Sequence, residues 1–467
     1  MRAALALVVA ALVIGAPAMA RGDGAFPAGQ GVLVPADRPQ EIVLVTNFGL
    51  VLSEDAGATW TWSCEQDANA LGTLYQLGPE ARRRLFAVAN QEVVYSDDET
   101  CSWQVAGGLL VGQAVTDLFP DPTNADRVVA IGVANGVGSV FESQDGGTTF
   151  GATLYQAAAG EVIESVEISR SDPSTVYATL IDQNEHPKLA RTSDGGVTWT
   201  VNDLAADLGA GLVRIIAVDP DDADTALLRW SSLADGEALA VTHDGGATTS
   251  TPLSIPHYFT SFARLPDGTL VLSAAVAVSP AVQAGLFVSH DGAATFEEND
   301  AVPGVVALAQ RDGLLYAATD NFADGYALGA SSDGGFTWQP VVRFDQIGSI
   351  MACLQTNPQC QASCEALAGN GLGSSGQIWD QAVCTAGASP SGAGGAGGAA
   401  AGGASGSSPD GAAANTGGGG HGPSGGGCVL APGPLSPWPS GASAVAVGIA
   451  VAFGRRKPRQ RRNRPVS

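Results

Sequence analysis

SSDGGFTW, residues Ser331 to Trp338, decides the fold, because the chain repeats it six more times. The other copies are SEDAGATW from Ser53, SDDETCSW from Ser96, SQDGGTTF from Ser143, TSDGGVTW from Thr192, THDGGATT from Thr242 and SHDGAATF from Ser289. Asp holds the third position in all seven (Asp55, Asp98, Asp145, Asp194, Asp244, Asp291, Asp333), hydroxyl residues hold the first and seventh, and Trp or Phe closes six. Each copy lies between apolar, alternating runs, as in YALGASSDGGFTWQPVV, the pattern of strand, tight turn, strand. The Asp side chain is suited to accept N–H bonds from its own turn. A Gly two residues on supplies a positive φ, and the closing aromatic is placed to wedge between sheets. Repetition around a ring marks structural residues, whereas an active site is single. These carboxylates are therefore expected to brace turns and neither to catalyse nor to hold metal.

Successive aspartates stand 43, 47, 49, 50, 47 and 42 residues apart, the length of one four-stranded blade. Seven copies predict an all-β, seven-bladed β-propeller of four-stranded antiparallel blades over residues 21–347. Whether the ring closes with a strand from the other terminus stays open. The motif resembles the Asp box of BNR, or sialidase-type, repeat propellers. The ring is also similar to the peptide-binding propeller of sortilin-type receptors and to assembly-factor propellers of photosynthetic bacteria. A sialidase resemblance implies three convergent arginines, a Tyr–Glu nucleophile pair and an Asp acid/base. Arginines do occur in the ring (Arg127, Arg170, Arg191, Arg214, Arg229, Arg264, Arg311, Arg343), but no Arg–Ile–Pro segment precedes the first copy. Sialidases, moreover, have six blades.

Departures from the repeat carry information. Thr100 takes the turn Gly position in blade two, next to Cys101, while Cys64 lies just past the first copy, so a Cys64–Cys101 disulfide tying blades one and two is expected. Ala293 at the Gly position and Thr249 at the aromatic position mark the least well clipped turns. Residues 348–385 change to helical patterning, with Cys360 and Cys364 on one helix face, Cys353 upstream and Cys384 on a second short helix. This predicts a small helical hairpin stapled by two disulfides of open connectivity. A zinc site is the sharper alternative, disfavoured by the lack of close Cys pairs. GLGSSG, 371–376, follows no strand and is not a nucleotide loop. No cofactor is expected.

Residues 1–454 hold 15 basic and 46 acidic side chains, a net −31, and such a surface repels nucleic acid. Residues 1–20 have the early Arg, apolar core and small-residue exit of a secretory signal peptide cut after Ala20. Export agrees with paired Cys64, Cys101, Cys353, Cys360, Cys364 and Cys384. Residues 386–427 are nearly all Gly, Ala, Ser and Pro, a flexible linker. Residues 428–467 follow as Cys428, a short apolar segment and RRKPRQRRNR. A helix from Trp438 to Gly454 reaches about 25 Å against a hydrocarbon core of ~30 Å, with its basic end cytoplasmic. This order is similar to MYXO-CTERM-type sorting tails. The resemblance implies a Gram-negative source, cleavage or lipidation near Cys428, and anchoring at the cell surface or outer membrane.

Within each blade the first turn and the repeat turn share one face, while the other loops emerge opposite. The second-to-third-strand loops lengthen in blades four to seven, and unequal loops on one rim suit a one-sided binding face. Candidates there are Trp230, Arg229, Asp182, His186, Phe322 and Tyr326. The expected function is that of a monomeric, surface-anchored binding or scaffold protein for a glycan, protein or peptide. A sialidase-like glycoside hydrolase is the alternative, marked by two carboxylates ~5–9 Å apart on the loop-rich face.

Overall fold

Strands such as Ile42–Thr46, Leu85–Ala89 and Val176–Ile181 are apolar or hydroxylated and buried at every position. A strand reads this way when both faces of its sheet are covered. The structure, a computed structural model, describes residues 27–64, 72–232, 236–278, 281–299, 302–370 and 378–385. It shows seven antiparallel sheets of four consecutive strands, a seven-bladed propeller, with blades at 29–63, 72–105, 114–156, 162–203, 212–255, 258–299 and 307–342. One apolar cluster fills each junction. Leu33, Val43, Leu52, Tyr75 and Leu85 lie between blades 1 and 2, for example, and Ala263, Val271, Leu286 and Leu308 between blades 6 and 7.

The first strand of blades 1 to 6 slips register once, as at Val115/Asp117, Ile163/Ser165 and Phe259/Ser261. Such bulges bend an edge strand, here the one at the ring's axis. Polar side chains then cross to the next blade's first strand. Asp117 accepts the Val166 N–H at 3.0 Å, Ser165 that of Ile215 at 2.8 Å, Glu167 that of Val218 at 2.8 Å and Ser261 that of Leu308 at 2.8 Å.

No strand is exchanged at closure, since blades 1 and 7 are each built from consecutive strands. Val32, Ile42 and Leu44 pack against Ala307, Ala309 and Tyr316. The Arg311 guanidinium donates to the Arg38 and Glu41 carbonyls at 3.2 and 2.7 Å. Past blade 7 the chain returns to blade 1. Ser349–Ile350 adds a fifth, parallel strand beside Thr61 and Trp62, covering an otherwise open edge.

The segment that follows corrects the expected disulfides. All six cysteines pair, but as Cys64–Cys360, Cys101–Cys353 and Cys364–Cys384, with Cα separations of 5.6, 5.7 and 5.7 Å. The module is not stapled twice to itself, and Cys64 does not bond Cys101. The physical reason is docking: the Asn357-capped helix Pro358–Glu365 and the turn Ala352–Leu354 lie against blades 1 and 2. Trp379 also packs on Trp62 and Phe48, ring centroids 5.2 and 5.8 Å apart. Cys364 and Cys384 join the helix to the second helical turn, Gln381–Cys384.

The predicted signal peptide, the GLGSSG run, the linker, Cys428 and the sorting tail all lie outside the described residues. Among the described residues no helix is long and apolar enough to cross a membrane.

Candidate functional site

The seven repeat turns share one hydrogen-bond scheme. The first residue's hydroxyl donates to the Asp Oδ1, at 2.9 Å from Ser53 to Asp55 and 2.7 Å from Ser331 to Asp333, and accepts the fifth residue's N–H, at 2.8 Å in both. The Asp in turn accepts the seventh residue's N–H on Oδ1 and its hydroxyl on Oδ2, at 2.8 and 2.6 Å for Thr59 and at 2.9 and 2.6 Å for Thr337. Ser96–Asp98–Ser102, Ser143–Asp145–Thr149, Thr192–Asp194–Thr198, Thr242–Asp244–Thr248 and Ser289–Asp291–Thr295 repeat it. The scheme demands a left-handed fifth residue, which Thr100 (φ 78°) and Ala293 (φ 73°) adopt despite their Cβ. Ala293→Gly is expected to raise the unfolding free energy by about 1 kcal/mol in urea titration. Thr100→Gly gains less, because the Thr100 hydroxyl donates to Ser63 Oγ at 2.7 Å in the interior.

Bonds to the ionised form depress these carboxyls. The Thr198 hydroxyl and N–H bring Asp194 to about 2, and the Thr295 pair does the same for Asp291. Burial acts oppositely at the ring's axis, pushing Asp117 up to about 6 and Glu167 up to about 8. The signs follow by linkage. A depressed carboxyl gives stability present above its unfolded pKa and lost as pH falls toward 2. A raised one gives stability fully present below its unfolded pKa and lost as pH rises through 6 and 8. These groups together place the stability maximum near pH 4 to 5, which urea midpoints from pH 2 to 9 would read out; a maximum above pH 8 contradicts the assignment.

The ring's arginines are spread over separate partners. Arg127 binds Glu142 and Asp121, Arg191 binds Asp224, Arg214 binds Glu164, Arg264 binds Asp219 and Asp221, and Arg343 binds Asp345.

On the opposite, loop-rich face the six candidates divide. Trp230 is 9% exposed and belongs to the cluster between blades 4 and 5, and Arg229 is 7% exposed and ion-paired with buried Glu237. Both are corrected from surface loop to interior, because the strand Ala226–Ser232 runs past them before the loop begins. Phe322 is 39% exposed, its ring edge-on to Phe344 at 6.3 Å, and Tyr326 is part-exposed with its ring over Gly329. Asp182 and His186 do reach solvent. Asp182 Oδ1 accepts the N–H groups of His186 and Asn184, at 3.0 and 2.8 Å, and these hold its carboxyl low.

Two residues missed in the sequence complete the Asp182 group. Lys188 Nζ donates to Glu161 Oε1 at 2.7 Å and lies 3.8 Å from Asp182 Oδ2, while His186 Nδ1 lies 3.6 Å from that same oxygen. The chain has two lysines, Lys188 and Lys457, so a lone ammonium inside an acidic ring was the available signal. Glu161 and Asp182 are no further apart than those two contacts together, which is short of the upper end of the ~5–9 Å range of glycosidase pairs. Yet one ammonium bridges both, and Asp182 stays ionised where a general acid must hold a proton. Exposed Tyr258, Val162 and Val111 lie on the same face, at or just before the starts of first strands. Among the described residues no group of three or more His, Cys, Asp or Glu is placed to hold a metal ion.

No family model matches the chain. It is 28% identical over 254 residues to a protein named xyloglucanase from Paenibacillus sp., over 51% of this chain and 22% of that protein. The chain thus spans about a fifth of that relative. Similar solved structures include the GH74 enzyme of Niastella koreensis (15% identity, 68% of this chain and 46% of that one, TM-score 0.38). YCF48 from Cyanidioschyzon merolae is another (11%, 63% and 94%, TM-score 0.44).

Proposed function

We propose that this chain is an exported, surface-anchored propeller that binds a glycan on its loop-rich face without turning it over. The observation that carries the reading is how the ring's charge is used: seven carboxylates close their own turns, and the arginines named above pair with carboxylates within or between blades. What faces solvent opposite is Tyr258, Phe322 and unequal loops, the surface on which a sugar ring can stack. The partial identity with a xyloglucanase supports a polysaccharide over a peptide, and three disulfides accord with export. Anchoring through the tail, with processing near Cys428, is part of the proposal; a mature terminus ending at Ser467 in mass spectrometry would refute processing.

The Glu161 and Asp182 pair favours hydrolysis as the second reading. Both are tested by exposing the full chain to a glycan array, to soluble xyloglucan and to fluorogenic sialosides. Retention without products, lost in a Tyr258→Ala/Phe322→Ala double variant, supports binding. Product formation abolished by Glu161→Gln or Asp182→Asn overturns it.

A further inference from the structure

On the face carrying the repeat turns, two blade junctions place an arginine of one blade across the fourth turn residue of the next. At junction 2/3 a Cβ on Gly146 would fall 2.6 Å from Arg82 Cδ, and Arg82 pairs with Asp126 at 2.6 Å. At junction 4/5 a Cβ on Gly245 would fall 2.9 Å from Arg191 Cδ, and Arg191 pairs with Asp224. At junction 3/4 nothing comes within 4 Å of that position on Gly195, and a cleft of about 510 Å³ opens there.

The sequence explains the opening. Blade 3 has Ala125 where blade 2 has Arg82, each two before the arginine whose carbonyl closes the first turn (Asp121 N–H to Arg127 at 3.0 Å, Gly78 N–H to Arg84 at 2.8 Å). Blade 3 also has Glu142 where blade 4 has Arg191, each just before the hydroxyl residue that starts the repeat turn. Gly292 at junction 5/6 is uncovered too, but the space at junction 3/4 is walled by hydrogen-bonding groups. Arg127 is fixed on one side by Glu142 Oε1 at 2.6 Å, Asp121 Oδ2 at 3.3 Å and the Pro173 carbonyl. Glu142 Oε2 stays outside that contact, and Asn124, Gln144 and Ser174 complete the lining. Two carboxylates against one guanidinium leave the cleft net negative.

We propose that this cleft receives an arginine side chain from a partner polypeptide, seated over Gly195 as Arg82 and Arg191 sit over their glycines. Its acceptors suit a planar fork of N–H donors better than a compact ammonium. Ser174 stands where Asp126 and Asp224 stand, as the N–H bonds from Gly195, Gly146 and Gly245 to their carbonyls show. The carboxylate therefore comes from the preceding blade, as Glu142.

Calorimetric titration of the full chain with N-acetyl-arginine amide, its lysine counterpart and glucose tests this. The arginine compound is expected to bind ~10-fold more tightly than the lysine one. Ala125→Arg, which supplies the missing filler, is expected to abolish binding, and Gln144→Glu to strengthen it several-fold. Equal binding of the lysine compound, a preference for glucose, or arginine binding unchanged in both variants would overturn the proposal. Ala125→Arg leaves the loop-rich face untouched, so glycan retention there is expected to persist.

Discussion

Cys64 and Cys360 replaced together by alanine are expected to lower the unfolding free energy by about 4 kcal/mol, the chain-entropy value for the ~45-residue loop left to close while Cys101–Cys353 stays in place. The bridge spans 296 residues and so holds nearly the whole ring, and Cys101–Cys353 spans 252. A propeller with no exchanged strand closes by side-chain packing, the Arg311 contacts and whatever its termini add. Here the addition is a covalent latch: residues 349–364 lie along the outer edge of blade 1 and are bonded to blades 1 and 2. With its bond to blade 1 gone, the 7/1 junction is where opening starts. Hydrogen exchange in the double variant should therefore accelerate first in Gly29–Leu33 and Ala307–Arg311. An unchanged urea midpoint, or exchange that accelerates evenly around the ring, would show that the module is ornamental.

Arg229→Met is expected to cost about 3–5 kcal/mol at pH 8, the usual penalty for stranding one member of a buried ion pair. Arg229 and Glu237 are both interior, and Glu237 Oε2 also accepts the Phe259 N–H of the next blade at 2.7 Å. Burial raises the Glu237 carboxyl while Arg229 holds it down, so removing Arg229 raises it further. A raised carboxyl gives stability fully present below its unfolded pKa and lost as pH rises through the folded value. The variant should thus lie close to wild type near pH 4.5 and fall away toward pH 8. A deficit independent of pH would mean that packing of the guanidinium, and not its charge, is what blade 5 uses.

The ring was legible because its signal is local. Each eight-residue turn carries its own acceptor, donors and left-handed position, so Ser331 to Trp338 can be read without any distant contact, and counting turns counts blades. The cysteine pairing was not legible, because Cys360 and Cys64 meet only after the chain has gone once around the ring. Trp230 misled for a different reason. In ALLRWSS the strand continues two residues past the tryptophan, and one shift in a strand's end moves a side chain from loop to core. Glu161 and Lys188 escaped notice because a loop between blades and the start of a third strand supply them, 27 residues apart. The Gly195 cleft was hidden because Ala125 and Glu142 matter only by contrast with Arg82 and Arg191 in the adjoining blades.

The central claim is that the seven aspartates hold corners and do no chemistry. It is tested most directly by substituting Asn at Asp55, Asp98, Asp145, Asp194, Asp244, Asp291 and Asp333 one at a time, with thermal midpoint and glycan retention recorded for each. Seven lowered midpoints with retention preserved in every folded variant is the expected result. One aspartate whose loss abolishes retention or turnover while the midpoint stays at the wild-type value would contradict it.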